Sequence, residues 1–94
     1  MKREEYQGKM EAQLSDWGAE IDKLAARADK ATADAKQGYH EQIETLRTKK
    51  ESIHAKLQEL KTSSDDAWED LREGLDQLGD QAQDAFKKAA ARFK

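Results

Sequence analysis

Apolar residues recur along the chain at alternating steps of four and three, beginning at Met10 and continuing through Leu14, Trp17, Ile21, Leu24, Ala28, Ala31 and Ala35. A seam of this kind, sustained over more than three heptads, is the mark of a helix that buries one narrow stripe. Two further steps of four, to Tyr39 and Ile43, read as a stutter, where a coil unwinds locally without the helix ending. The alternation then resumes with Leu46, Lys50, Ile53, Leu57 and Leu60. It fails at Ser64, inside the cluster Thr62-Ser63-Ser64-Asp65-Asp66. Ser63 and Asp66 have the spacing of a helix N-cap, and the acids suit the positive end of a helix dipole. A second stripe follows through Trp68, Leu71, Leu75, Leu78, Ala82, Phe86, Ala89 and Phe93. The pattern predicts a helix over residues 3–61, a tight turn at 62–65 and a helix over 66–93. Gly38 supplies the alternative, a break that would make a three-helix bundle.

Folding the chain about residue 64 sets Trp68 against Leu60, Leu71 against Leu57, Leu75 against Ile53, and Phe86 near Ile43. Leu78 completes the packing face. The expected fold is therefore all-α, a long antiparallel helical hairpin of coiled-coil type forming a single domain over residues 1–94. Its second arm is about half as long as its first. Residues 1–33 would then have no partner in their own chain, at a loss of about 1.5–3 kcal/mol for each large apolar side chain left in water. Self-association through Met10, Leu14, Trp17, Ile21, Leu24 and Ala28 is the expected remedy. An antiparallel homodimer or larger assembly centred near Ile21 would place Trp17 against Leu24 and Leu14 against Ala28.

Composition supports helices and excludes sheets. Ala, Glu, Lys, Leu and Arg account for 50 of 94 residues, while Pro, Val and Cys are absent. Leu, Ile and Phe together number only 13, so a core must come from a thin seam. Without cysteine there is no disulfide framework, and no apolar run follows the basic start of the chain as a secretory signal would require. The cytoplasm is the expected compartment. Net charge is −3, but it is unevenly spread. Residues 65–84 hold eight acids against Arg72 alone, whereas Lys87, Lys88, Arg92 and Lys94 close the chain without an acid. Hairpin closure would bring the acidic block beside Arg47, Lys49, Lys50, Lys56 and Lys61, which selects that register over shifted ones.

Candidate chemistry is sparse. Glu51 and His54 have the Glu-x-x-His spacing of helical carboxylate metal sites, but the pair occurs once and straddles Ile53. They read better as solvated residues of a charged helix, as does His40. The acidic pairs Asp65-Asp66 and Glu69-Asp70 read as helix-terminal charge, not as an acid/base couple. Arg47-Thr48-Lys49-Lys50 is short and has no stacking aromatic, which argues against nucleic acid. No catalytic, cofactor-binding or metal residue is expected, and no small-molecule substrate. Residues 67–94 interleave Phe86 and Phe93 with cations as a membrane-surface helix does, which makes lipid association the alternative function.

Leu14-Ser15-Asp16-Trp17 leading to Ile21, Tyr39 with Ile43 and Leu46, and the run Ser63-Ser64-Asp65-Asp66-Ala67-Trp68-Glu69-Asp70-Leu71 together resemble small bacterial coiled-coil proteins of the stress-response type. The resemblance spans most of the chain and implies a helical, non-enzymatic cytoplasmic protein. It implies no catalytic residues. The expected function is that of a self-associating helical scaffold linked to stress.

Overall fold

A computed structural model describes residues 2–92. Three helices account for nearly all of them: α1 over Arg3–Lys30, α2 over Ala33–Thr62 and α3 over Trp68–Arg92. They form an elongated bundle of 51 × 19 × 17 Å. α2 packs against both neighbours, and α1 and α3 meet at fewer points. Arg3, at the start of α1, reaches the end of α2, so these two helices run in opposite directions. Contacts ascend together on α1 and α3, from Tyr6 with Asp76 to Trp17 with Phe86, so those two run the same way.

The single helix expected over 3–61 is two helices, and the break lies at Ala31 and Thr32 rather than at Gly38, which sits inside α2. Ala31 and Thr32 are both extended, with φ/ψ of −81/160° and −66/161°. Energetics explain why the chain bends. Breaking a helix costs about four backbone hydrogen bonds, worth about 0.5–1.5 kcal/mol each when water replaces the helical partner. Folding α1 back buries Tyr6, Met10, Leu14, Trp17, Ile21 and Leu24, each at 7% exposure or less. Six large side chains at about 1.5–3 kcal/mol each outweigh the broken bonds. The apolar residues of α1 therefore do find partners within their own chain, and the seam anticipated for a second copy is internal.

The second connection also differs in detail. α3 begins at Trp68, two residues later than expected, and Ser63 closes α2 instead of capping α3. Phe93 and Lys94, expected at the end of the last helix, lie outside the described residues.

The core holds sixteen buried residues, all hydrophobic, with no buried polar or charged residue among those described. Leu46, Ile53, Leu57, Leu60 and Leu75 are sealed completely, and Trp68, Leu71 and Leu78 are half-buried against them. Lys50, the charged position of the α2 seam, is half-buried. A Cβ at Gly18 would lie 3.2 Å from its Nζ, so the missing side chain on α1 leaves the lysine its room. Gly74 has open space around it, and Gly79 meets only the terminal methyl of Met10 at 3.9 Å. Close backbone approach therefore does not explain these two glycines, and α3 carries their propensity cost of about 1 kcal/mol each.

Candidate functional site

At the end of the bundle where α1 begins, a group of polar contacts ties distant parts of the chain together. Arg3 opens α1, where a cation opposes the helix dipole, but Glu4 and Glu5 follow it in the first turn. Its guanidinium instead serves the C-terminus of α2. Nη2 donates to the carbonyl oxygens of Leu60 at 2.7 Å and Lys61 at 3.2 Å, and also to that of Ser63. Nη1 reaches Asp65 at 3.4 Å. One side chain thereby satisfies carbonyls that helix geometry leaves orphaned and sets a positive charge at the negative end of the dipole. Ser63 Oγ adds a 2.8 Å bond to Leu60 O, and the Ser64 hydroxyl accepts from Ala67 N at 3.3 Å.

One turn further along α1, the Tyr6 hydroxyl donates to Asp76 Oδ1 at 2.7 Å and lies 3.3 Å from Arg72 O. Burial pushes the phenol pKa well above its ordinary value, and the bond to the Asp76 carboxylate and its charge push it further; Arg72 opposes the shift. A phenol held neutral in this way donates a hydrogen bond and does not act as a base. Arg72 itself lies over the Trp68 ring, its guanidinium carbon 5.7 Å from the centroid, and its Nε is buried without a hydrogen-bond partner. Beyond them Trp17 and Phe86 line the groove between α1 and α3, stacked at 5.5 Å with 5° between their planes. Lys9, Gln13, Asp76, Asp80 and Gln83 form its rim.

The six residues anticipated as a self-association seam face the chain's own α2 and α3. Of the packing residues, Ile43, Ile53, Leu57, Leu60, Leu75 and Phe86 are buried as expected of a core, whatever their partners. Glu51 and His54 are exposed on α2, where Arg47 and Lys50 share their shallow depression; two cations there are unsuited to a metal. Among the described residues no group of three or more His, Cys, Asp or Glu is placed to hold a metal ion. The acids at 65, 66, 69 and 70 are exposed. No ion pair joins the acidic block 65–84 to residues 44–63; Lys61 pairs instead with Glu11 of α1. The complementarity expected between α2 and α3 is not drawn into contact.

Three working residues escaped the pattern. Tyr6 lies four before Met10, and extending the seam one step toward the N-terminus would have found it. Thr32, whose Oγ1 accepts from Ala35 N at 3.4 Å, is a cap-type residue in an alanine-rich stretch, with Asp29 and Asp34 beside it as equal candidates. Arg3 has no local signal at all, since its role exists only once α1 lies beside the end of α2.

No family model, curated protein or solved structure matches this chain. Among the described residues no helix is long and apolar enough to cross a membrane.

Proposed function

We propose that this protein is a non-catalytic helical interaction module that associates with copies of itself through its charged faces. The observation that carries this reading is the exposed acidic stripe of α3. Glu69, Glu73, Asp76, Asp80 and Asp84 follow one another at steps of three and four, and all are exposed. Within this stripe, Asp84 pairs with Lys88 of the same helix and Asp76 takes the Tyr6 proton donor. On α2 of the same molecule, Arg47 and Lys50 share a depression with Glu51 and His54 that the stripe does not touch. Two complementary faces on one chain can meet across a two-fold axis to close a dimer, or head to tail to build longer assemblies. Each exposed pair contributes only about 0.2–1 kcal/mol, so several must act together and salt must weaken them.

Sedimentation equilibrium at low and high ionic strength tests the reading. The expected result is a mass of two or more chains in dilute buffer that falls in about 0.5 M salt, with Arg47→Glu abolishing the low-salt species. A one-chain mass under both conditions would refute it. A stress-linked role rests on the sequence resemblance alone, and unchanged cellular abundance of the protein under stress would retire it.

A second reading is lipid association through residues 67–94. It is favoured by α3 being the most amphipathic of the three helices, with Lys87, Lys88 and Arg92 exposed near its end. Its apolar face is packed against the bundle, so binding requires α3 to detach. Titration with anionic phosphatidylglycerol vesicles should then shift the tryptophan emission; no shift at any lipid ratio eliminates this reading.

A further inference from the structure

We infer that α1 exchanges between two copies of this chain, with Ala31 and Thr32 as the hinge. Four observations converge on that connection. It is two residues long, and neither residue is a glycine or proline that would forbid a helix. Ala31 and Ala33 flank Thr32 in an alanine-rich run, where intrinsic preference favours continuing the helix. The break is held by modest local bonds, Ala31 N to Ala28 O at 3.1 Å and Ala35 N to Thr32 Oγ1 at 3.4 Å. The apolar spacing of α1 runs on across the hinge through Ala28, Ala31 and Ala35, yet in the closed chain Ala35 is exposed and Ala31 only half-buried. The seam is continuous in sequence and interrupted in the fold.

Straightening the hinge would turn α1 and α2 into one helix of about 60 residues and 90 Å. Two such helices, antiparallel about an axis at the hinge, recover the closed chain's contacts between molecules. Arg3 of each chain would clamp the α2 end of the other, and Glu11 of each would pair with Lys61 of the other. The new central contact sets Ala28 against Ala35 and Ala31 beside the axis, where small residues let the backbones approach. Exchange of an identical element is a low-cost route to a dimer, because nearly every interface already exists in the closed chain, and short hinges invite it. The partner is thus a second copy, engaged through the core rather than through the charged faces proposed above, so salt will not dissociate it.

The test combines two hinge variants with a cross-link. Thr32→Ala removes the cap that only the closed form uses, and should raise the association constant about thirtyfold, the equivalent of a cap of about 1 kcal/mol lost by each of two chains. Ala33→Pro should reduce the two-chain species at least a hundredfold. It suits the closed form, since proline is favoured at the first helical position and Thr32 before it is already extended, whereas a continuous helix would be interrupted. The chain has no cysteine, so Glu11→Cys with Lys61→Cys carries the only two thiols. After refolding at high protein concentration in 0.5 M salt, a short bismaleimide should join these positions between chains and give a double-mass band. An 11–61 link that stays within one chain overturns the exchange, and a two-chain mass seen only in dilute buffer leaves charge-mediated association standing. The exchange is equally overturned if Ala33→Pro dimerises like the parent, or if Thr32→Ala yields no two-chain species at any concentration.

Discussion

The connection at 63–67 and the connection at 31–32 both join consecutive helices, by different means. At 63–67 the sequence spends serines and aspartates, and the structure adds a clamp from a residue some sixty positions away. Arg3, Ser63 and Ser64 between them bond the carbonyls of 60, 61 and 63 and the amide of 67. At 31–32 the Thr32 hydroxyl caps α2, and the ten residues 29–38 include none that is buried. The 63–67 end of the bundle is therefore fixed by side chains reaching across helices, with Arg3 on the end of α2 and Tyr6 on Asp76. A break in a helix needs no breaking residue where folding back buries enough surface.

The largest consequence falls at the clamped end. Leu60 is sealed within the core, and its carbonyl is held by Arg3. Leu60→Ala should cost about 2–5 kcal/mol, read as a lowered urea midpoint with an unchanged slope. A cost under 1 kcal/mol would mean that this end is looser than its contacts imply. Next comes Arg3→Ala, which keeps the core and removes the clamp. It should cost about 1–3 kcal/mol, since charge-assisted bonds to carbonyls at a helix end exceed ordinary ones. Hydrogen exchange should quicken at residues 60–67 and stay unchanged at 28–36.

The same contrast explains what could be read in advance. Residues 62–66 announce a turn because serine and aspartate compete with the helix for backbone bonds. Ala31-Thr32-Ala33 announces nothing, because alanine fits the seam and the helix equally well, and Ala31 and Ala35 at seam spacing carried the helix on past its true end. The core residues were legible from spacing alone: Leu14, Trp17, Ile21, Leu24, Ile53, Leu57 and Leu75 are all buried. What they face was not, since the spacing that suits a second molecule also suits a third helix of the same chain. The bonds of Arg3 and the Tyr6–Arg72–Trp68 knot depend on the tertiary arrangement and have no periodic signature.

Tyr6 gives the clamped end a pH dependence. Its phenol pKa is raised in the folded state, and in the unfolded chain it ionises near pH 10. The stability that follows from this difference is complete below about pH 10 and is lost as pH rises further, because only the unfolded chain releases the proton readily. Tyr6→Phe should cost about 0.5–1.5 kcal/mol at pH 8, and the gap to the parent should narrow at pH 11. A gap that is the same at both values would show that the hydroxyl is not held by Asp76.

The finest discrimination comes from the two caps themselves. Ser64→Ala and Thr32→Ala each remove one hydroxyl that accepts from an amide three residues on, at 3.3 and 3.4 Å. Measured in isolation such caps are worth about 1 kcal/mol. Here they should diverge. Loss of the Ser64 hydroxyl leaves Arg3 and Ser63 holding the connection, so the effect should be a few tenths of a kcal/mol. Loss of the Thr32 hydroxyl leaves α2 without a side-chain cap, and the closed chain should lose close to the full amount. The measurement is a pair of urea curves at low protein concentration, where association does not contribute. Equal costs would mean that the long-range clamp adds nothing at 63–67, and that the two connections differ in sequence but not in strength.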